Sequence, residues 1–268
     1  MDQHALEYYS SYSEEAPHAH FHKVIMLQED PMIDWEEALA LAPKLCRGWY
    51  ELAQLPLQDR IEFTREFWLA KLPYHPNLNE FLNKFFSSLD DIGIFLFQPK
   101  YEDPFEVSLV YSLADNSGFF HGNAPATEQE IIALQKVFPD YILPPDYLAF
   151  LQIHNGFAKL TDTGITKSAE MEESYMNFQK VLEKDYPITT SKGGTVNPKS
   201  LIPFYCSFGM SFFQCFWGEW YPGQEMGNVY YSGETKTISD CMQTADCVET
   251  MAFENFTDWL MFYLEKID

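Results

Sequence analysis

The stretch at residues 143–156 carries the clearest local signals in this chain, because it encodes both ends of one helix. Pro145 is tolerated in the first turn of a helix, and Asp146 places an acid at the positive end of the helix dipole. Asn155 and Gly156 both accept the left-handed backbone conformation that ends a helix. Between these ends, apolar and aromatic side chains recur at helical spacing, at Tyr147, Leu148, Phe150, Leu151 and His154. This periodicity predicts a helix with one face on a hydrophobic core.

Composition and charge limit the class of protein and the kind of partner. The chain has 268 residues, enough for one large domain or two small ones, and 46% of them are hydrophobic and 17% aromatic, which excludes a disordered chain. Its formal net charge is −23. A surface with this charge repels nucleic acids and anionic membranes and attracts basic molecules over long distances. We therefore expect a basic protein partner and neither nucleic-acid nor membrane binding.

The cysteines argue against a disulfide framework and against a zinc knuckle. Their number is odd and they form no C-x-x-C pair, at Cys46, Cys206, Cys215, Cys241 and Cys247. Such a pattern is typical of reduced thiols. No uninterrupted apolar run reaches the ~20 residues of a membrane span, and the first residues are acidic where a signal peptide would be basic. These features predict a soluble, cytoplasmic protein.

The first 33 residues are expected to form a polar tail, partly disordered or lying on the surface. Within this tail, His18, His20 and His22 alternate along the sequence. In a strand they would share one face, where three imidazoles could bind a transition metal. The alternative is an incidental polar segment, since no cysteine or acid lies nearby at ligand spacing. We assign no metal site from this pattern.

Residues 34–124 are expected to form a mainly helical module with a β-hairpin. Asp34 can cap a helix over residues 35–54, Pro56 begins a second helix, and a third has apolar side chains at helical spacing up to Asp90. Residues 92–97 and 107–113 are rich in β-branched and aromatic side chains and are separated by a loop with two prolines, which predicts the hairpin. The hairpin could form its own sheet or extend the sheet that follows. Turn residues at 115–125 mark the boundary.

The rest of the chain, residues 125–268, has the pattern of an α+β domain. Thr127 and Glu130 form a capping box, and a further helix is expected at residues 171–184. Three aromatic runs at residues 201–207, 211–217 and 228–232, separated by turn residues, predict an antiparallel meander. Asn255 can cap a final helix whose apolar face comprises Phe256, Trp259, Leu260, Tyr263 and Leu264.

This order of segments resembles the SUKH superfamily, which includes Smi/Knr-like cell-wall regulators and toxin-immunity proteins. The resemblance begins in an LPxDYxxFLxxxNG motif, matched by Leu143, Pro144, Asp146, Tyr147, Phe150, Leu151, Asn155 and Gly156. Residues 201–204 and 227–231 match later segments, so the resemblance covers the C-terminal half. Phe157, where the family has a small residue, and Met210-Ser211, where it has a Gly/Asp-rich turn, depart from the pattern. The resemblance implies a SUKH-like α+β fold, a binding role, no catalytic residues and no cofactor.

No catalytic signature is present: the chain has no G-x-S-x-G, P-loop, H-E-x-x-H or G-x-G-x-x-G sequence. The segment most typical of a binding surface is the hairpin mouth, residues 217–225, which combines aromatic and acidic residues. We expect it to contact a basic partner through Trp217, Glu219, Trp220, Tyr221 and Glu225. The structural alternative is that Trp217 and Tyr221 fold back and cover the edge of the sheet.

Two functional hypotheses follow. The first is a non-catalytic acidic protein-binding module, of the immunity or chaperone type, that binds a basic toxin or effector or a signalling partner. The second is a metal-dependent or thiol enzyme that uses the N-terminal histidines or a cysteine. A structural role, in which the N-terminal helices join a larger assembly, lies between them.

Overall fold

The computed structural model describes residues 1–14, 17–30, 32–209, 212–239 and 251–265. The chain divides into two compact units. Unit 1 contains Met1–Lys71, Asn79–Pro125 and Phe157–Leu160, and unit 2 contains Leu72–Leu78, Ala126–Gly156 and Thr161–Asp268. The division into segments 1–33, 34–124 and 125–268 stays a prediction.

Unit 1 contains the first five helices. They are α1 (Gln3–Tyr8), α2 (Trp35–Leu41), α3 (Arg47–Ala53), α4 (Leu57–Lys71) and α5 (Leu78–Ser87). Asp34 caps α2 in a capping box with Glu37, as expected. The single helix expected over residues 35–54 is instead two helices, α2 and α3. Pro43 explains the break, because proline disfavours helical backbone at the residue before it.

The sheet of unit 1 is antiparallel and larger than a hairpin. Its strands are β1 (Lys23–Met26), β2 (Leu89–Gln98), β3 (Glu106–Leu113), β4 (Phe119–Asn123) and β5 (Phe157–Lys159), paired in that order. The expected hairpin is confirmed as β2 and β3, with Gly93 opposite Val110. Strand β4 lies within residues 115–125, where turn residues led us to expect a boundary. The side chains of Phe119 and Phe120 are buried, which favours a strand there.

The first residues of the chain pack on the sheet of unit 1, although their composition is polar. Asp2 is fully buried and caps α1 by accepting a hydrogen bond from the backbone N–H of His4, and it also accepts one from Gly118 at 2.9 Å. Ala5 and Tyr9 follow at helical spacing and pack against Phe95 and other buried residues of the sheet. Strand β1 then pairs with β2. Ala5 and Tyr9 form a short apolar helix face whose burial holds this segment on the sheet, and the polar residues around them hide this face in the sequence.

Unit 2 contains a mixed sheet. Its strands are β6 (Gly164–Ile165), β7 (Thr189–Thr190), β8 (Leu201–Cys206), β9 (Phe212–Trp217), β10 (Asn228–Ser232), β11 (Thr237–Ser239) and β12 (Ala252–Phe253). The order is β6-β8-β9-β10-β11-β7, with β12 also pairing with β10. All pairs are antiparallel except β11 with β7. The predicted meander is confirmed as β8-β9-β10, although Ser211, its expected start in β9, lies outside the described residues.

The described residues of unit 2 also form the helices α6 (Glu128–Val137), α7 (Pro145–Leu151), α8 (Met171–Asp185) and α9 (Phe256–Leu264). The caps expected at Thr127 and Asn255 are both present. These elements confirm the α+β fold class. No helix among the residues that the structure describes combines the length and hydrophobicity needed to cross a membrane.

The motif helix α7 packs on the meander, as its apolar face predicts. The ring centroid of Tyr147 lies 5.0 Å from that of Phe216 in β9 and 5.3 Å from that of Phe256 in α9. Phe150 also contacts Phe256, at 5.4 Å. The helix ends at Leu151, earlier than the sequence suggested, and Gly156 has the expected positive φ, +102°. An aromatic core therefore joins α7, α9 and the sheet of unit 2.

The hydroxyl of Tyr147 is an exception within this core. Tyr147 is fully buried, and its hydroxyl has no hydrogen-bond partner in the described part of the chain. An unpaired buried hydroxyl costs about 1 kcal/mol or more. We expect Tyr147→Phe to raise the free energy of unfolding by about 1 kcal/mol, measured by urea denaturation.

A second tyrosine in unit 2 provides the control. The hydroxyl of Tyr231 donates a hydrogen bond to Asp185 at 2.6 Å. We expect Tyr231→Phe to lower the free energy of unfolding by about 1 kcal/mol. A loss of stability in Tyr147→Phe as large as that in Tyr231→Phe would show that the Tyr147 hydroxyl has a partner in solution.

Candidate functional site

The hairpin mouth is a closed turn between β9 and β10. The backbone N–H of Trp220 donates to the carbonyl of Trp217 at 2.9 Å, and that of Gly227 donates to the carbonyl of Trp220 at 3.0 Å. The N–H of Trp217 in turn donates to the carbonyl of Gly227 at 3.0 Å. These three bonds link the two ends of the loop that contains residues 221–225.

The two tryptophans of the hairpin mouth pack against unit 2. Their ring centroids are 6.1 Å apart, and both rings contact the buried cluster that includes Val229. The ring of Trp220 lies directly on Gly227, where any side chain would collide with it. The indole N–H of Trp217 is buried without a hydrogen-bond partner in the described residues. Trp217 therefore packs against the core of unit 2, whereas the side chain of Tyr221 is 51% exposed.

The surface beside the hairpin mouth contains two further tyrosines, Tyr141 and Tyr175. The ring of Tyr141 lies against Gly218, and the hydroxyls of Tyr141 and Tyr175 donate to the carbonyl of Lys199 at 3.4 and 3.0 Å. Burial and the nearby carboxylate of Glu219 raise the pKa of Tyr141. No local pattern marks these tyrosines as neighbours of the hairpin mouth, because they reach it only through the tertiary fold.

Glu219 is held in place at the exposed side of the hairpin mouth. Its carboxylate accepts a hydrogen bond from the side-chain amide of Asn197 at 3.0 Å. Asn197 caps a short turn by accepting from the N–H of Lys199 at 3.2 Å. The loop before β8 thus fixes the position of an acid next to exposed Tyr221.

On its other side, the hairpin mouth lines a cleft of about 200 Å³ in unit 2. The cleft has an acidic lining, with Asp146, Glu225 and Glu254 among its walls, and His75 as a further wall residue. His75 is paired with Asp258, with Nε2 at 3.1 Å from Oδ1. A cleft with this lining suits a positively charged side chain.

Asp146, from the first turn of α7, forms the floor of this acidic cleft. One carboxylate oxygen accepts from the backbone N–H and the hydroxyl of Thr257, at 2.8 and 3.0 Å, and the other accepts from the N–H of Tyr147 at 2.9 Å. Burial raises the pKa of Asp146, although the bonds from Thr257 oppose the shift. Asp146 therefore joins the first turns of α7 and α9 and keeps a carboxylate under the cleft.

Glu225 is the residue that the hairpin mouth and the acidic cleft share. Partial burial and the charge of Asp146 raise the pKa of Glu225. Both causes make the ionised carboxylate less favourable here than in water. A cation bound in the cleft would relieve this cost.

Comparison with known proteins identifies the family. The model of the SMI1 / KNR4 family (SUKH-1) matches residues 125–261, about half of the chain. The chain belongs to this family. No curated protein matches the chain. The resemblance inferred from the LPxDYxxFLxxxNG motif is thus confirmed.

The motif residues of this SMI1 / KNR4 family member connect α7 with the rest of unit 2. Asp146, Tyr147 and Phe150 join α7 to α9 and the meander. The buried side chain of Asn155 accepts a hydrogen bond from the N–H of Ser168 at 2.7 Å. Phe157, a departure from the family pattern, is buried in β5. The other departure, Met210-Ser211, lies outside the described residues.

The N-terminal histidines of this SMI1 / KNR4 family member do not converge. The ring of His20 packs beside Tyr8 at 5.0 Å, whereas that of His22 packs beside Tyr101 at 5.2 Å, and exposed His18 precedes β1. Within the described residues, no group of three or more His, Cys, Asp or Glu side chains could hold a metal ion. The strand needed to align the three imidazoles does not form, since β1 begins only at Lys23.

The cysteines that the structure describes are not activated as nucleophiles. Burial raises the pKa of the thiols of Cys46, Cys206 and Cys215, which favours the unreactive protonated form at neutral pH. Cys241 and Cys247 lie outside the described residues. The described thiols thus behave as small apolar side chains.

The raised pKa of Glu225 leads to a pH-dependent prediction. Because the folded state holds the proton more tightly than the unfolded chain, ionisation of Glu225 costs stability as the pH rises above about 4.5. Glutamine has no such cost. We expect Glu225→Gln to be slightly more stable than the wild type at pH 7 and to lose this advantage at low pH, in urea denaturation curves measured across that range.

Glu80→Gln is the control for this experiment. Glu80 is exposed in the first turn of α5 in this SMI1 / KNR4 family member. Because Glu80 lies outside the acidic cleft, Glu80→Gln shows how much of the change comes from replacing an exposed glutamate by glutamine rather than from the cleft. An advantage of Glu225→Gln that fails to grow with pH would contradict the electrostatic account of the cleft.

Proposed function

We propose that this protein is a non-catalytic, acidic protein-binding module that binds a basic protein through the hairpin mouth and the acidic cleft. Its partner is a basic toxin or effector, in an immunity-type or chaperone-type role, or a signalling protein. Membership of the SMI1 / KNR4 family, known for immunity and cell-wall-related roles, supports this proposal. It acts in the cytoplasm, without nucleic acid or membrane as a ligand.

The observation that carries the proposal is the position of Glu225. It belongs to the hairpin mouth and lines the cleft together with Asp146, and burial and the charge of Asp146 raise its pKa. A lysine or arginine from a partner would offset this repulsion and pair with both carboxylates. Exposed Tyr221 and Glu219, a few residues away, supply an aromatic anchor and a second charge.

Charge explains why association would begin from a distance. The net charge of −23 attracts a basic protein and raises its association rate, and salt screens this attraction. The proposed contact therefore predicts binding that weakens strongly as ionic strength rises. Trp217 and Trp220 contribute by holding the hairpin mouth rather than by contacting the partner.

The test begins with affinity purification in low salt and mass spectrometry to identify the partner. Its affinity is then measured by calorimetry for the wild type and for Glu219→Gln/Glu225→Gln, with and without Tyr221→Ala. We expect the two charge changes to weaken binding by about tenfold and to reduce its salt dependence, and Tyr221→Ala to weaken it further.

A matched control removes the same charge elsewhere. Glu80 and Glu234 are both exposed and lie outside the hairpin mouth and the acidic cleft. We expect Glu80→Gln/Glu234→Gln to change the affinity much less than the site variant. Equal losses in both double variants would mean that net charge alone directs binding, and an unchanged affinity in the site variant would exclude this surface.

A further inference from the structure

Helix α4 of unit 1 exposes two aromatic side chains on its outer face. Phe63 is 64% exposed and Phe67 40% exposed, and they lie one helical turn apart. The inner face of the same helix is buried through Ile61, Thr64 and Trp68. Single exposed apolar residues are ordinary, but adjacent phenylalanines on one helix face form a contiguous apolar surface. This stripe, Phe63 and Phe67, lies outside the residues matched by the family model.

Acidic side chains flank the stripe. Asp59 lies one turn before Phe63, and Glu62 and Glu66 are exposed next to the two rings. Glu66 is paired with Arg65 at 2.7 Å, while Glu62 accepts a hydrogen bond only from neutral Gln58, at 3.0 Å, in the described part of the chain. The rim of the stripe therefore has negative charge available to an incoming cation.

The contact between Lys71 and Phe67 shows the chemistry that the stripe accepts. The ammonium group of Lys71 lies over the ring of Phe67, 5.9 Å from its centroid. Phe63, the more exposed ring, has no aromatic or cationic neighbour among the residues that the structure describes. A lysine or arginine from another molecule could occupy the equivalent position over Phe63 and also face Asp59 and Glu62.

We propose that the outer face of α4 docks a basic amphipathic helix of a partner protein. Apolar side chains of that helix cover Phe63 and Phe67, and its lysine or arginine side chains pair with Asp59 and Glu62. Charge complementarity selects this occupant: a second copy of the chain would bring the same acids together, and an anionic membrane would be repelled. This surface shares no residue with the hairpin mouth, and its proposed role does not depend on the function proposed there.

The test uses a synthetic probe, because the natural partner is unidentified. A fluorescently labelled Leu/Lys peptide of roughly 18 residues forms an amphipathic helix of about five turns. Its binding to the full-length protein is followed by anisotropy at physiological salt. Two peptides act as controls: a scrambled peptide of the same composition without an apolar face, and a Leu/Glu helix. We expect only the Leu/Lys helix to bind well and to protect α4 from hydrogen exchange.

Variants of the protein separate this surface from general charge attraction. Phe63→Ser/Phe67→Ser should weaken binding of the Leu/Lys helix by at least about tenfold, whereas Leu57→Ser, at a similarly exposed position near the start of α4, should change it little. Glu219→Gln/Glu225→Gln should also leave it nearly unchanged. Circular dichroism checks that each variant is folded.

Three outcomes would overturn the proposal. The first is equal binding of the Leu/Lys helix to the wild type and to Phe63→Ser/Phe67→Ser. The second is equal binding of the scrambled peptide or the Leu/Glu helix, which would remove the need for a basic amphipathic helix. The third is a dimer, seen by analytical ultracentrifugation, that Phe63→Ser/Phe67→Ser abolishes, because a second copy would then be the occupant.

Discussion

Asp146→Ala is expected to lower the free energy of unfolding of unit 2 by about 3 kcal/mol. The carboxylate is 4% exposed and accepts hydrogen bonds from the N–H and hydroxyl of Thr257 and from the N–H of Tyr147. Alanine leaves all three donors without this acceptor in a buried position. Urea denaturation gives the loss, and hydrogen exchange should show it first at the start of α9, where Thr257 lies.

Two further variants identify the cause. Asp146→Asn keeps one acceptor oxygen but removes the charge whose burial is costly, so we expect a loss smaller than that of Asp146→Ala. Glu128→Ala removes an exposed acid from the first turn of α6 and should cost less than about 1 kcal/mol. If Asp146→Ala were as mild as Glu128→Ala, the bonds to Thr257 would not contribute to stability.

Trp68→Ala should be the most damaging change in unit 1, with an expected loss of about 4 kcal/mol. Trp68 is fully buried on α4, and its indole N–H donates to the hydroxyl of Tyr111 in β3 at 2.9 Å. Its ring also packs edge-to-face with Phe86 and Phe157. Alanine would leave a large cavity between helix and sheet. Urea denaturation measures the loss, and hydrogen exchange of β2 and β3 locates it.

Trp68→Phe separates packing from hydrogen bonding. Phenylalanine retains a ring but lacks the donor to Tyr111, so we expect a loss of roughly half that of alanine. A loss below about 1 kcal/mol for Trp68→Ala would mean that the surrounding aromatic side chains close over the site. Phe63 and Phe67 are exposed whereas Trp68 is buried, so these variants test the core and not the proposed docking surface.

Local signals in the sequence were sufficient for much of the fold of unit 2. The caps at Thr127 and Asn255, the aromatic runs of the meander and the motif around Tyr147 all lie where they were predicted. Each depends on neighbours within a few residues or on a period of two or 3.6 residues. Such signals survive in a sequence even when the tertiary structure is unknown.

Other features could not be predicted because they depend on burial by distant residues. The sequence predicted that Asp2 and Tyr9 belong to a polar tail, whereas both side chains are buried in unit 1. Strand β4, within the turn-rich residues 115–125, was also not predicted, because it depends on the burial of Phe119 and Phe120 in the core of unit 1. The break between α2 and α3 does not depend on distant residues, because Pro43 is a local signal. We expected one helix there because the apolar residues continue at helical spacing past Pro43.

The candidate site shows the same division. The sequence indicated the hairpin mouth, because aromatic and acidic residues occur together there, and we propose Glu219, Tyr221 and Glu225 for partner contact. It did not distinguish them from Trp217, which packs inward. Nor did it connect Glu225 with Asp146, since each belongs to a separate local motif and the two meet only in the cleft.

The stretch at residues 143–156 therefore determined, by itself, the presence of a helix and its apolar face, and together with the order of the later segments it indicated the family of the chain. Caps, periodicity and turn residues act over a few residues, so the sequence contains them in full. Only the tertiary structure decided that Asp146 forms the floor of an acidic cleft, because its partner Thr257 lies 111 residues away along the chain. The burial of Asp146 and its repulsion of Glu225 depend on which residues are close in space, not on which are close in the sequence. For this reason only the tertiary structure includes Asp146 in the proposed binding surface.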